Sequence, residues 1–494
     1  MTNAREKIFL PLDMKVEFNN AITYQKQGNL IEAQKKYEYI LESYPNNTDT
    51  LSMLGTLHCL KENFTLGVKI LSKAIKNNNK NEKLYNNRGL ALVSLGKHSA
   101  AIIDYKKAIL LNSEYIDPYN NYGLALKELN QWENAINILN NGIGINSKIA
   151  ELHLTRGIIL RDLKRFEESE LSINKAIAIN KNYSEAYYTK SLTLLTNGNL
   201  EQGWKLYEYR WKSSNKSKYL KTNKPLWNNT IKYKTILVWK EQGLGDEIMC
   251  SSLINNLAEH CSKLYVLIDK RLKPLYERSF SNHIIFLDTD SSLDNIEYDA
   301  HIPINSLPLY FKTDPNDYTN GNSFLIAELD KTKKIKKQIP NENNKKICGI
   351  SWKGGTENNG HRNIDLLNFI KLLNNDNIIF VNLQYGETLE EINYTEKKLG
   401  IKIFNKDLID NKNDLDSLAS LIEACDMVVT VDNATVHLAG GLGKETHLLL
   451  SYTSDFRWMT NVDRSIWYKS LTLYRQERDL RWNGALKAIK HNIQ

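Results

Sequence analysis

Cysteine is scarce: Cys59, Cys250, Cys261, Cys348 and Cys425 are the only thiols in 494 residues, odd in number, with no CxxC pair and no ligand-spaced grouping with histidine. That disfavours a disulfide scaffold or structural zinc and fits a reducing compartment. No run of about 18 apolar residues occurs, and the opening MTNAREKIFLPLDMKVEF lacks the uninterrupted apolar core of a secretory signal, so the expected location is cytoplasmic with no membrane span. The chain contains no GxxxxGK[ST], which removes P-loop kinases and ATPases. Charge of one sign is in small excess, 65 Lys and Arg against 57 Asp and Glu. A surplus of 8 over so long a chain speaks weakly for an anionic ligand and against nucleic acid, whose binders carry a concentrated basic face. The one dense cluster, Lys331, Lys333, Lys334, Lys336, Lys337, Lys345 and Lys346, reads as a solvated linker ahead of a binding patch.

What is present is ordinary globular material, 41% hydrophobic and 25% charged, long enough for about three domains. A period dominates the first two hundred residues. Gly55, Gly89, Gly123 and Gly157 are spaced by 34, with Ala21 one period earlier and Ser191 one later. Twelve positions beyond each slot stands a small residue (Ala33, Gly67, Ala101, Ala135, Ser169, Gly203), and four further a large one (Tyr37, Leu71, Tyr105, Leu139, Ile173, Tyr207). The small pairs mark close helix crossings, and the following spacing is one face of a second helix. Six units, residues 14–217, resemble the tetratricopeptide repeat (TPR), whose helix-turn-helix units stack into an all-α superhelix with a protein-binding groove. Two positions before the glycine slot stand Asn19, Asn87 and Asn121, continued by Thr155 and Thr189. In such arrays that slot faces the groove, where carboxamides could pair with a peptide backbone; the competing explanation is that asparagine abounds throughout the chain.

The sixth unit departs from the others, ending in Gly203, Trp204, Tyr207, Glu208, Tyr209, Arg210 and Trp211. Such an aromatic cluster is expected to dock the array onto the next domain, with Arg210 paired to an acid; sugar stacking is the alternative. From Thr235 the texture changes to β-branched runs alternating with helical stretches: 235–240, 264–268, 284–287, then 347–352, 378–383, 427–431 and 446–450. This predicts two doubly wound α/β lobes, and ligands of open parallel sheets bind beyond the strands' carboxyl ends.

Three strand-end loops carry the chemistry. In the first, Gly243 and Gly245 precede Asp246, and Ile248 occupies the third glycine slot of a dinucleotide fingerprint, which disfavours nicotinamide and flavin enzymes. Asp246 reads either as a helix N-cap or as a carboxylate presented beside a close-approach turn. The second loop, from Trp352, Lys353 and Gly354 through Arg362, suits a phosphate or is plain flexible loop. The third runs from Asp432, Asn433, Ala434 and Thr435 to His437 into a helix of small residues whose exposed amides favour an anion. A base on one lobe and an anion site on the other are what transfer from an activated sugar nucleotide requires.

Together EQGLGDEI, SWKGG with HRNIDL, FVNLQYGE, LASLIEACDMVVTVDNATVHLAGGLGKETHLLL, DFRWM, WYKSLTLYRQ and RW resemble the glycosyltransferase domain fused to TPR arrays in many bacterial proteins. That domain is similar to glycosyltransferase family nine, the heptosyltransferase type, and the resemblance covers about residues 184–485. It implies a GT-B fold of two Rossmann-like lobes, 218–330 and 347–494, joined by the Lys-rich linker 331–346. It further implies Asp246 as general base, and a donor site at Asp432, Asn433, Ala434, Thr435 and His437 with Lys353 or Arg362 on the diphosphate and Glu387 near the ribose. Asn433 stands where the family usually has Thr, and Phe456 where it usually has Trp. The resemblance implies inverting transfer, and because no DxD-like pair closes a strand, transfer is expected to be metal-independent, with Lys353, Arg362, His437 and the helix dipole stabilising charge. No cofactor is implied, the nucleotide sugar being a substrate. Expected partners are that donor, a protein or glycan acceptor, and proteins held in the groove. A scaffold with a degenerate, non-catalytic transferase domain is the alternative, and a nucleotide-sugar hydrolase or epimerase a third.

Overall fold

The computed structural model describes residues 10–213, 219–293, 296–318, 323–341, 343–354, 362–405 and 409–493. The chain forms two compact units, Met1–Ala186 and Tyr187–Gln494. In the first, helices pair as the 34-residue period predicts: Leu12–Lys26 with Leu30–Ser43, Thr48–Leu60 with Phe64–Asn77, Glu82–Ser94 with His98–Leu111, Asp117–Glu128 with Trp132–Ile145, and Ala150–Asp162 with Phe166–Ile179. The glycine slot is a steric requirement. A Cβ on Gly89 would lie 2.5 Å from Cε1 of Tyr105, the large residue of the same repeat, which is wholly buried. Leu71, Leu139 and Ile173 press in the same way on Gly55, Gly123 and Gly157.

Four asparagines of this unit form a second 34-residue column. Asn78, Asn112, Asn146 and Asn180 each end a repeat's second helix, and each carboxamide oxygen accepts the backbone N–H two residues on, at 3.0–3.2 Å. Asparagine is suited to this turn because its side chain mimics the next peptide carbonyl. The abundance is therefore partly turn chemistry.

The boundary between the units falls inside the helix Ser184–Thr196. The second unit includes the helix Leu200–Tyr207, a 3-10 turn Glu208–Trp211 and two parallel sheets. The first sheet contains β1 (Thr235–Trp239), β2 (Lys263–Ile268), β3 (Ile284–Asp288) and β4 (Ala300–Pro303), in the order β3-β2-β1-β4. The second contains β5 (Lys346–Ser351), β6 (Ile378–Asn382), β7 (Ile403–Phe404), β8 (Met427–Val431), β9 (Thr446–Leu450) and β10 (Leu471–Arg475), in the order β10-β9-β8-β5-β6-β7. Every residue of β8 and β9 is buried, as expected of parallel strands covered on both faces. Seven strands match the β-branched runs. β4, β7 and β10 do not, because β4 is four residues containing His301 and Pro303, β7 is two residues long, and β10 is a mixed LTLYR.

The lysine cluster departs from expectation. Residues Leu329–Gln338 form a helix capped by Glu328, with Ile335 buried and Lys331 paired to Asp416 of the helix Leu415–Ala424. One apolar stripe anchors it while the other lysine heads reach solvent, so the segment is a packed element and not a solvated linker.

Candidate functional site

Strand order reverses between β1 and β4 in the first sheet and between β5 and β8 in the second, so a crevice opens at each carboxyl edge. The glycine loop follows β1; the other two candidate loops follow β5 and β8. All three therefore flank switch points.

Asp246 lies in the first turn of the helix Leu244–Ser251, whose N-cap position is Gly243, in extended backbone and without a side-chain cap. The N-cap reading of Asp246 is thereby overturned. Its Oδ1 accepts from Arg457, Nε at 3.0 Å and Nη2 alongside, while Oδ2 lies next to Gly243. Arg457 belongs to the second lobe, in the 3-10 turn Phe456–Trp458. Gly245 abuts the same lobe: a Cβ there would sit 2.8 Å from Cδ2 of His437. The glycine permits this close approach.

In the second lobe, Asp432 follows β8 and pairs with Arg362 at 3.4 Å. Burial raises its pKa while Arg362 opposes the rise. Gly354 touches the same turn, since a Cβ on it would meet the Asp432 carbonyl at 2.5 Å. Burial disfavours the charge on Arg457, yet Asp246, Asp455 and Asp432 outweigh it and push its pKa well up. Three carboxylates and two guanidiniums thus alternate where the two crevices meet.

Several expected donor contacts take other roles. Asn433 caps the helix Ala434–Leu442: its Oδ1 accepts from the amides of Thr435 and Val436, and its Nδ2 donates to Ser351 Oγ and the Lys353 carbonyl. Asn433 is committed to the scaffold, and two of the amides expected to face an anion are already satisfied. His437 is 3% exposed, bonded to Tyr468 through Nδ1 at 3.0 Å and stacked on Trp458. Burial, reinforced by Arg457, pushes its pKa down to about 3, so it is neutral and does not serve as the cation expected. Lys353 pairs with Glu391 and so is not a free cation either. Thr435 is buried with no hydrogen-bond partner for Oγ1, Ala434 is half-buried beside it, and Glu387 is exposed on its turn. His361, with residues 355–360, lies outside the described residues.

No local pattern marks Arg457, although DFRWM contains it, or Gln384, whose Oε1 accepts from Ser351 Oγ, the Trp352 amide and the Lys353 amide and so fixes the loop after β5. Arg210 does find its acid. It grips Glu241 in a bidentate pair at 2.8 and 2.9 Å, and also bonds Glu208 and Ser306. The aromatic cluster packs on both lobes of the second unit, Trp211 against Trp239 and Trp204 against Phe456 and Trp467. Trp204 and Tyr207 are buried and offer no face to a sugar, while Tyr209 and Trp211 are half-buried.

In the first unit the polar column is knit between repeats. Asn121 Nδ2 donates to Asn86 at 2.9 Å, Thr155 Oγ1 to Asn120 at 2.7 Å, and Asn87 Nδ2 to Thr56 at 3.5 Å, while Asn19 is exposed. A carboxamide has two N–H donors, so these bonds commit one donor each of Asn87 and Asn121 to the array, that of Asn87 at the outer limit of hydrogen-bond length. A groove of about 560 Å³ lies elsewhere, lined among others by Ile102, Ile103, Lys106, Tyr122, Leu126 and Ile138. Among the described residues, no three His, Cys, Asp or Glu side chains are grouped to hold a metal, and no helix is long and apolar enough to cross a membrane.

Comparison with known proteins bears out the repeats. The tetratricopeptide repeat family matches residues 89–130 and 150–183. The chain is 26% identical over 322 residues to Protein FlbA of Caulobacter vibrioides, a match taking in 60% of this chain and 52% of FlbA, so the chain spans about half the length of that relative. Among solved structures, it is similar to a tetratricopeptide repeat protein from Parabacteroides merdae (18% identity, TM-score 0.37, 42% of this chain and 82% of that one). It is also similar to MamA protein (21%, 0.31, 35% and 94%) and to YrrB, a TPR protein with an unusual peptide-binding site (19%, 0.31, 38% and 94%). The N-terminal part carries TPR repeats, and a parallel-sheet α/β region follows.

Proposed function

We propose that the α/β unit is a heptosyltransferase-like GT-B glycosyltransferase, moving a sugar from a nucleotide donor to an acceptor hydroxyl with inversion, while the TPR array holds an acceptor or partner protein. The observation that carries this reading is the meeting of Asp246, from the β1 switch-point loop, with Arg457, Asp432 and Arg362 of the second lobe. A sugar nucleotide brings its own leaving group, so the protein supplies a base and a positive environment. Asp246 takes the acceptor proton. Arg362 and Arg457 give up carboxylate for phosphate oxygens of the bound donor and hold the diphosphate's charge as it departs, for which a planar guanidinium is well shaped. Displacement from the opposite face in one step inverts the anomeric centre. Cytoplasmic placement, and a nucleotide sugar with a protein or glycan acceptor as partners, belong to the same proposal.

One observation favours a second reading, a TPR scaffold with a non-catalytic domain: Lys353, Arg362 and Arg457 are each engaged by a carboxylate. Thermal shift of the whole chain against a panel of UDP-, GDP-, ADP-, CDP- and dTDP-sugars separates the two. A shift of several degrees with one nucleotide class supports the transferase, and a flat panel supports the scaffold.

A further inference from the structure

Arg457 is held unusually firmly at its base and shared unusually widely at its head. Its turn is capped by Asp455, whose Oδ1 accepts the Arg457 amide, and Arg475 donates to the Trp458 carbonyl at 2.9 Å. On one side Phe456 packs against Trp204 and Tyr207, with centroids 5.9 and 5.7 Å apart; on the other Trp458 stacks on His437 at 5.4 Å. The next residue, Met459, has φ 48°, a conformation that costs a side-chain-bearing residue energy. Between these two packed rings one charged side chain reaches across the crevice. There its guanidinium meets Asp246 and, at 2.6 Å through Nη1, Asp455, with the charge of Asp432 also acting on it.

Taking the glycosyltransferase reading as the premise, we propose that Arg457 exchanges Asp246 for the donor diphosphate, so that donor binding uncovers the base. Without donor, Arg457 occupies Asp246 Oδ1 and an acceptor hydroxyl meets a carboxylate already engaged. With donor, the phosphate oxygens take the guanidinium, while Asp455 keeps Nη1 and the anchored turn keeps the head in place. The freed carboxylate accepts the proton of the acceptor hydroxyl as that oxygen bonds to the anomeric carbon. The bond from that carbon to the diphosphate oxygen breaks, and its electron pair leaves with the nucleoside diphosphate. Binding is therefore ordered, donor first.

The exchange has a thermodynamic signature that structural support alone would not give. Asp246 and the diphosphate compete for one guanidinium, so removing the carboxylate's charge strengthens the anion. Titration calorimetry of UDP, GDP and ADP into the whole chain is expected to show Asp246→Asn binding the preferred diphosphate about tenfold tighter than the native chain. Arg457→Lys, which keeps the charge and loses the fork, is expected to bind it about tenfold more weakly. In the double variant, where the lysine lacks the fork that both anions compete for, the gain from Asp246→Asn shrinks. Melting curves of all four proteins identify any variant that unfolds. Should the native chain bind a diphosphate while Asp246→Asn leaves its affinity unchanged or lower, the exchange is overturned and the transferase reading stands. Should neither the native chain nor Asp246→Asn bind any diphosphate or sugar nucleotide, the transferase reading itself fails.

Discussion

Arg210→Met removes the guanidinium from a pair in which Arg210 is 2% exposed and Glu241 wholly buried. Two charge-assisted bonds at 2.8 and 2.9 Å are lost, and with them the only cation, among the described residues, bonded to the Glu241 carboxylate. Breaking a buried pair on one side typically costs about 3–5 kcal/mol, most of it the desolvation of the charge left behind. Burial already raises the pKa of Glu241 against the pull of Arg210. Without the arginine the pKa rises further, so the folded variant binds a proton that the unfolded chain releases. Its deficit is therefore largest at neutral pH and shrinks as pH falls toward the ordinary glutamate range, by about 1.4 kcal/mol per unit. Adding Glu241→Gln removes the stranded charge and restores most of the loss. Urea unfolding followed by tryptophan fluorescence is selective here, because Trp132 alone of nine tryptophans lies in the first unit. A loss under about 1 kcal/mol at neutral pH, or a double variant no better than Arg210→Met, would refute the reasoning.

Gly89→Val drives new atoms into the fully buried ring of Tyr105, which has no room to move, and is expected to cost about 2–3 kcal/mol, read as an earlier far-UV dichroism transition of the repeats; an unchanged transition contradicts it. His437 has a folded pKa of about 3 against an unfolded value near 6.5, so its neutral burial contributes fully above the unfolded value and is lost as pH falls toward 3. Moving from pH 7 to pH 5 should cost the second unit about 2 kcal/mol through this group, and His437→Gln should remove that part of the pH dependence. An identical pH slope in the variant would show that the imidazole does not titrate on unfolding.

Periodic demands were legible in the sequence and irregular ones were not. The glycine slots show because a Cβ at Gly55, Gly89, Gly123 or Gly157 collides in every repeat, and the same sterics recur every 34 residues. The second column, Asn78 to Asn180, recurs just as regularly but is masked by the asparagines around it. Asp246, Asp432 and Arg362 could be placed because strand ends and glycine turns mark the edge of a parallel sheet. Their partners could not, since Arg457 is 211 residues from Asp246 and nothing local couples them. The same limit explains His437, whose neutrality comes from Tyr468, Trp458 and burial, all set by tertiary packing. For Asn433, expected at the donor, a local rule prevails instead: asparagine is among the best helix caps, and it serves as one.

The most direct test is turnover: the whole chain is incubated with the sugar nucleotide selected by thermal shift and a panel of protein, glycan and simple sugar acceptors, and released nucleoside diphosphate and glycosylated product are measured together. The account predicts stoichiometric release and transfer by the native chain, with the rate reduced about a hundredfold to ten-thousandfold in Asp246→Asn while nucleotide binding persists. Transfer by Asp246→Asn at more than a tenth of the native rate would contradict the assignment of the base. A bound nucleotide sugar that no acceptor consumes would leave the α/β unit a binding module and the chain a scaffold.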